Sequence, residues 1–160
     1  FGSVRRKMDF DGDKLAVPQR SARNTFAFAP GPWYASSDVY FISHPAEGVS
    51  LWYLLGLFNS APYFAWLYLK GKRKGRLLEL YSAPLNALPV PIARPDQQQR
   101  LERLAQMLYN AKKENPTANT SALQRQADQI VGDIFGFTPE EALAIQTLAQ
   151  HAAGPAKPRP

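Results

Sequence analysis

The longest apolar stretch of the chain covers residues 51–69, and its pattern predicts two short helices. Asn59 and Ser60 are the only strongly polar residues in it. Pro62 lacks a backbone N–H donor and suits a first helical turn, so Asn59 or Ser60 can cap a second helix that runs towards Lys70. A transmembrane helix fits poorly, because these residues interrupt the middle of the stretch and aromatic residues occur throughout it.

Short apolar segments separated by polar turns occupy the first fifty residues and predict a small, mostly antiparallel sheet. Residues 14–17 and 25–28 are apolar, and residues 39–43 have the β-branched and aromatic content of a strand. A polar hexapeptide, QRSARN at residues 19–24, lies between the first two segments. Its side chains have little core to enter, so we expect an exposed loop there.

Helical spacing of apolar residues begins near residue 96. Three capping-box pairs predict where three helices begin: Asp96 with Gln99, Ser121 with Gln124, and Thr138 with Glu141. Gly136 offers a stop for the second of them. Three prolines in residues 82–91 predict a turn and an extended arm before the first. The predicted fold class is α+β, with a small sheet, an aromatic helix pair and a helical C-terminal part.

Composition narrows the possible functions. The chain has no cysteine and two histidines, which excludes disulfides, thiolate metal sites and histidine-rich metal sites. Residues 1–94 carry twelve Lys/Arg against six Asp/Glu, and residues 95–160 carry seven of each, so the net charge of +6 lies in the first part. This asymmetry indicates that the first part faces a polyanion. A basic protein without such a partner is the alternative.

A glycine-spaced basic segment at residues 70–76 is the candidate for phosphate binding. Gly71 and Gly75 let the main chain approach a phosphate backbone. The cations of this basic segment are Lys70, Lys72, Arg73, Lys74 and Arg76. The alternative is a mobile loop that is merely solvated.

The polar hexapeptide is the candidate for base reading, because Arg can pair with guanine and Asn with adenine in the major groove. Its candidate residues are Arg20, Ser21, Arg23 and Asn24. In the alternative, Arg20 pairs with Asp38 or Glu79 inside the fold and Asn24 caps a turn. Further DNA contacts are expected from stacking by one aromatic residue and from phosphate contacts by two hydroxyls, namely Tyr34, Ser36 and Ser37.

Three segments carry a family resemblance: residues 14–28, residues 33–42 and residues 54–92. The last contains Leu57-Phe58-Asn59-Ser60, the basic segment, and the arm Leu88-Pro89-Val90-Pro91 followed by a glutamine-rich helix start. Together they resemble the C-terminal target-recognition domain of TaqI-type, adenine-specific DNA methyltransferases of bacterial restriction-modification and phage-defence systems.

The resemblance implies sequence-specific recognition of double-stranded DNA by residues 1–94. Residues 95–153 are expected to form the helical part, and residues 154–160 a disordered tail. The alternative is a protein-interaction module whose helical part binds a partner subunit and whose basic segment is incidental. A third alternative is an RNA-binding domain, which differs from the DNA-binding interpretation only in the nucleic acid that is bound.

Catalysis is expected to lie outside this stretch of chain. The family's N-P-P-[YF] motif is not found, since Asn115-Pro116 continues with Thr117. We therefore expect no enzyme activity, no metal and no cofactor in this piece, with S-adenosylmethionine bound by a methyltransferase domain elsewhere in the same parent chain. That domain is a second expected partner. We expect a cytoplasmic location and no membrane partner.

Overall fold

The computed structural model describes residues 10–152, and the predicted tail at 154–160 lies outside them. The described residues form two three-stranded antiparallel sheets and six helices, so the predicted α+β class is confirmed. Four strands come first: β1 Lys14–Pro18, β2 Arg20–Ser21, β3 Ala27–Ala29 and β4 Val39–Ile42.

The first sheet has β1 at its centre, in the order β3-β1-β4. Leu15 of β1 pairs with Phe28 of β3 and with Ile42 of β4. Leu15 and Val17 are fully buried. The strand predicted at residues 25–28 begins two residues later, because the backbone N–H and carbonyl of Phe26 bond the side chain of Asn59 rather than a strand.

Two short helices, α1 Leu51–Phe58 and α2 Ala61–Lys70, confirm the predicted pair. Ser60 occupies the cap position of α2, but its hydroxyl donates back to the carbonyl of Leu57 at 2.6 Å. The backbone N–H of Ala61 instead donates to Asp128 Oδ1 at 2.8 Å. The predicted side-chain cap from Asn59 or Ser60 is therefore wrong, and a later helix supplies the acceptor.

The second sheet has the order β2-β6-β5, with β5 Lys72–Lys74 and β6 Leu77–Glu79. A short helix, α3 Ser82–Asn86, and an extended arm follow, in agreement with the turn and arm predicted there. Hydroxyl groups of two buried tyrosines, Tyr53 and Tyr63, donate to the arm at the carbonyls of Pro91 and Pro89. Burial raises the pKa of both tyrosines.

Three longer helices complete the fold: α4 Pro95–Glu114, α5 Ser121–Phe135 and α6 Pro139–Ala152. The capping box of α6 is confirmed, since Thr138 N–H donates to Glu141 Oε2 at 2.9 Å and Glu141 N–H to Thr138 Oγ1 at 3.3 Å. Gly136 ends α5 with a left-handed φ of 70°.

The other two predicted capping boxes are wrong. Helix α4 starts before Asp96, and Gln97 rather than Gln99 accepts the N–H of Arg94. In α5 the side chain of Gln124 is used elsewhere, because it donates to the carbonyl of Asn59 and to Asp128. Sequence spacing predicts the region in which each helix begins, but not the residue that accepts the hydrogen bonds of its first backbone N–H groups.

One hydrophobic core joins the sheets to the C-terminal helices. It contains Leu15 of the first sheet and Leu78 of the second, together with Leu101, Val131 and Ala149 of the last three helices. Among residues 10–152, no helix has both the length and the apolar character needed to cross a membrane.

Candidate nucleic-acid interface

The two polar clusters predicted from sequence lie in the same sheet. Strand β6 is its centre and pairs with the hexapeptide strand β2 on one side and the basic strand β5 on the other. Arg20 and Lys72 therefore flank Glu79 in one cross-strand row, and Ser21 and Arg73 flank Leu78 in the next. Candidates from distant parts of the sequence become neighbours through this pairing.

The two faces of this sheet differ in character. Residues directly opposite each other point to the same face, and successive residues alternate. Leu78 is 1% exposed and marks the inner face, on which Arg73 also lies. Lys72, Lys74 and Arg20 share the other face with Glu79. We call this face, defined by Arg20, Lys72, Lys74, Leu77 and Glu79, the outer face.

Arg20 stands in an ion pair on the outer face. Its Nε lies 3.5 Å from Glu79 Oε1, and its guanidinium lies over the ring of Tyr81 at 5.5 Å. Pairing with Glu79 was one of the two alternatives open from the sequence. Because the ion pair uses Nε, the two terminal nitrogens of Arg20 have no partner among the described contacts and present a fork suited to two acceptors.

The hexapeptide is not an exposed loop at its far end, and the structure corrects the base-reading prediction for Asn24. Asn24 is 7% exposed. Its amide nitrogen donates to the carbonyls of Phe58 and Ser60 at 2.6 and 2.9 Å. These bonds hold both amide donors inside the protein, so Asn24 has a structural role.

Arg23 and Ser21 are also engaged within the fold. The Nη2 of Arg23 donates to the carbonyl of Ala149 at 3.0 Å, and its guanidinium lies over the ring of Phe64 at 5.8 Å. The hydroxyl of Ser21 lies 3.0 Å from that of Thr25 and accepts the N–H of Arg23. Of the four predicted base readers, Arg20 is the one whose described contacts leave both terminal guanidinium nitrogens without a partner, because Arg23 uses its Nη2 within the fold.

The basic segment is a β-hairpin rather than the glycine-framed loop expected from sequence. Strands β5 and β6 are joined at Gly75 and Arg76, and Gly75 has a left-handed φ of 62°. At Gly71 a Cβ would meet the carbonyl oxygen of Leu67 at 2.4 Å, so the close exit from α2 requires glycine. The side chains of the hairpin thus point alternately to the two faces of the sheet, as the register of β5 and β6 requires.

The five cations of the basic segment take different positions. Lys72 and Lys74 extend from the outer face, and Lys70 and Arg76 are exposed at the end of α2 and in the turn. Arg73 lies on the inner side, with its guanidinium 4.0 Å from the ring centroid of Tyr68. All five side chains are exposed, and Arg73 is the one of them that has a described partner.

The turn that holds Ser36 and Ser37 is tied to the second sheet through Gln19. The Gln19 side chain donates to the carbonyl of Ser37 at 2.6 Å, and its backbone N–H to the carbonyl of Asp38 at 2.8 Å. The carbonyl of Gln19 accepts the N–H of Leu80 at 2.8 Å. Ser36 and Ser37 are exposed beside this junction, and Gln19 directly precedes Arg20 in the chain.

Tyr34 belongs to a different group. It is 66% exposed and stacks on Phe10, with ring centroids 5.2 Å apart. Phe10 and Trp33 both meet Phe41 of the first sheet edge-on. The ring contacts of Tyr34 therefore place it over the first sheet, and the structure does not bring it into the second.

Sequence reasoning missed Glu79 and Gln19 as parts of this interface. The sequence indicates Glu79 as a possible ion-pair partner but not as the centre of a cationic row, and Gln19 carries the hydrogen bonds that join the two sheets. The apolar-polar-apolar run Leu78-Glu79-Leu80 is a signal for a half-buried strand that could have found Glu79.

The chemistry of this surface is that of charge and hydrogen bonding. Within residues 10–152, no three His, Asp or Glu residues come together in a group that could hold a metal ion. Asp128, a half-buried carboxyl whose charge interacts with that of Arg23, has its pKa raised by burial and accepts hydrogen bonds from Ala61 N–H and Gln124. The outer face offers cations and donors to a polyanion, with one carboxylate among them.

Comparisons with known proteins identify a solved structure that shares the fold. No protein-family model and no curated protein sequence matches the chain. Among the solved structures that are similar is that of the Type IIL restriction-modification enzyme MmeI in complex with DNA, with a TM-score of 0.68 and 20% sequence identity. The similarity covers 89% of this chain and 21% of the enzyme, so the chain spans about a fifth of that enzyme's length. At this identity the likeness shows a shared fold.

Proposed function

We propose that this chain is a DNA-recognition domain of a restriction-modification protein and that it binds duplex DNA with the outer face of its second sheet. The observation that carries the proposal is the row in which Arg20 and Lys72 flank Glu79 and the neighbouring Lys74 extends to the same side. The solved structure that shares the fold is a restriction-modification enzyme in complex with DNA. The TaqI-type affiliation that the sequence suggests is a finer part of this proposal.

Lys72 and Lys74 are suited to phosphates. Lysine ammonium groups are compact point charges without a planar fork, and both residues are exposed on a strand at the edge of the sheet. Contacts of this kind position a protein on duplex DNA without reading its sequence. The exposed hydroxyls of Ser36 and Ser37 are further donors for phosphates of the DNA backbone.

Arg20 is suited to a base edge. The ion pair with Glu79 fixes the guanidinium through Nε, which leaves the terminal nitrogens for the O6 and N7 acceptors of guanine. Glu79 adds an acceptor of the kind that pairs with the cytosine amino group. The pair thus supports a preference for one base-pair type at the position it reaches.

A salt titration tests the proposal. Binding of a labelled duplex by the full chain should weaken with salt, and Lys72→Ala with Lys74→Ala should weaken it on all sequences and lower the slope of log K against log salt by about 2 at most. The matched control removes two cations from the exposed surface of α4, Arg100→Ala with Arg103→Ala, and should leave the slope unchanged. Equal effects of the two double variants, or no binding by the unmodified chain, would contradict the proposal.

We further propose that the parent protein is an adenine-specific DNA methyltransferase acting in the cytoplasm. Its methyltransferase domain would bind S-adenosylmethionine and carry out methyl transfer, while this chain would contribute recognition and no cofactor site. Two features support this division of labour: the target-recognition motifs of residues 14–92 and the Asn115-Pro116-Thr117 sequence where a catalytic motif would need a second proline.

A further inference from the structure

Two arginines and two aromatic rings form a continuous stack along α2. Arg73 lies 4.0 Å from the ring centroid of Tyr68. Tyr68 stacks on Phe64, with centroids 5.7 Å apart and an interplanar angle of 24°. Phe64 lies beneath the guanidinium of Arg23, whose Nη2 donates to the carbonyl of Ala149 in α6. We call these four side chains the α2 stack.

The spacing of the two rings explains why the stack exists. Phe64 and Tyr68 are four residues apart on α2, so they lie on the same side of the helix one turn apart. Arg23 follows β2, and Arg73 belongs to β5. The two edge strands of the second sheet are thus each linked, by one guanidinium, to the same side of one helix.

The stack determines which hairpin side chains face outward. Arg73 pairs with Leu78 in the register, and Leu78 is buried. When Arg73 is held on Tyr68, strand alternation directs Lys72 and Lys74 to the opposite face. A slip of one residue would exchange the two faces and turn the lysines inward.

We propose that Arg73 is a positioning residue for DNA binding rather than a phosphate contact: its stacking on Tyr68 holds the hairpin in the register that presents Lys72 and Lys74. Arg23 anchors the other edge strand in the same way, on Phe64 and on the carbonyl of Ala149. This inference rests on the proposed function for its DNA readout. The other part of the inference, that Arg73 holds the hairpin in register, rests on the described contacts alone.

Arg73→Lys separates the two roles, because lysine keeps the charge but lacks the planar group that stacks on a ring. A phosphate contact would tolerate it. A contact that depends on stacking would be weakened, because an ammonium keeps the charge attraction to the ring but loses the planar contact, and amide hydrogen exchange of Lys72, Lys74 and Glu79 should become about three- to tenfold faster in the variant. Duplex affinity should fall by a similar factor.

Tyr68→Leu provides a second route to the same loss without touching any charge. It should speed exchange of the hairpin amides and weaken duplex binding, and the double variant Arg73→Lys with Tyr68→Leu should be no worse than the single ones. The matched control is a cation–ring pair away from the second sheet, Lys113 over Tyr109 of α4 at 5.8 Å. Lys113→Ala should leave both hairpin exchange and duplex affinity unchanged.

The outcomes distinguish this inference from the proposed function. If Arg73→Lys keeps the original exchange rates and affinity, while Arg73→Ala lowers the salt slope by about 1, Arg73 is a phosphate contact and the inference is overturned. Additive effects of Arg73→Lys and Tyr68→Leu on hairpin exchange would also overturn it. If the unmodified chain binds no duplex, the proposed function fails, and hairpin exchange alone still decides whether Arg73 holds the hairpin.

Discussion

Replacing Asn24 with alanine should destabilise the fold rather than change which DNA sequence is bound. The carbonyl of Phe58 would normally accept a helical hydrogen bond from residue 62, but that residue is Pro62 and has no N–H. Asn24 donates to this carbonyl at 2.6 Å. The side chain thus supplies the donor that the break between α1 and α2 removes.

The cost follows from the two bonds that are lost. The Phe58 carbonyl would be left without the donor that Asn24 provides, which costs about 1–3 kcal/mol. The Ser60 carbonyl would keep the N–H of Phe64 at 3.0 Å, so its loss is that of one ordinary bond, about 0.5–1.5 kcal/mol. Together these predict that Asn24→Ala lowers the free energy of unfolding by roughly 1.5–4.5 kcal/mol. Asn24→Asp should cost at least as much, because it places a carboxylate oxygen against a carbonyl oxygen.

Two measurements on the same variant decide the matter. Urea unfolding gives the change in stability, and duplexes selected from a randomised pool, compared with random ones, give the change in discrimination. Asn110→Ala is the control, since Asn110 is exposed on α4, and it should stay within about 0.5 kcal/mol of the unmodified chain. Unchanged stability of Asn24→Ala, with lost discrimination at one base position, would refute the structural role and restore base reading.

Three further predictions concern the pH dependence, the hairpin and the chemistry. Burial raises the pKa of Asp128 above its usual 3.8, so stability falls as pH rises through the raised value. Asp128→Asn, which keeps an oxygen for Ala61 N–H, should then stabilise the protein more at pH 7 than at pH 3 in urea unfolding, and an equal effect at both would contradict this. Gly75→Ala should cost about 1–2 kcal/mol and speed exchange of the hairpin amides, because Gly75 has a φ of 62°; unchanged exchange would count against it. The chain alone should transfer no labelled methyl group from S-adenosylmethionine to DNA, and measurable transfer would disprove the proposed division of labour.

Local patterns in the sequence predicted local structure well. The helix pair, the strands at residues 14–17 and 39–43, and the capping box of Thr138 and Glu141 each depend on residues close together in the chain. The physics that fixes them is equally local: a missing donor at Pro62, alternation along a strand, and a side chain reaching three residues back.

The second sheet could not be predicted in the same way. Strand β2 has two residues, and its partner β6 follows two helices later. Strand β2 is too short to carry a periodic signal, and the pattern around β6 indicates a strand but not the strand with which it pairs. Residue type alone was ambiguous for Arg23 and Asn24, because the donors that would suit base edges equally suit the carbonyls of Ala149 and Phe58.

The junction between α1 and α2 accounts for how core and interface are joined. The break frees backbone groups at residues 58–61, and three distant side chains satisfy them: Asn24 before β3, and Gln124 and Asp128 of α5. In the opposite direction, the side chain of Asn59 accepts the backbone N–H of Phe26 and donates to its carbonyl. The hexapeptide and the C-terminal helices are thus held at one point. The residues before and after the change of sequence pattern near residue 94 therefore share a single hydrophobic core. The geometry of the outer face depends on the helices that pack behind it.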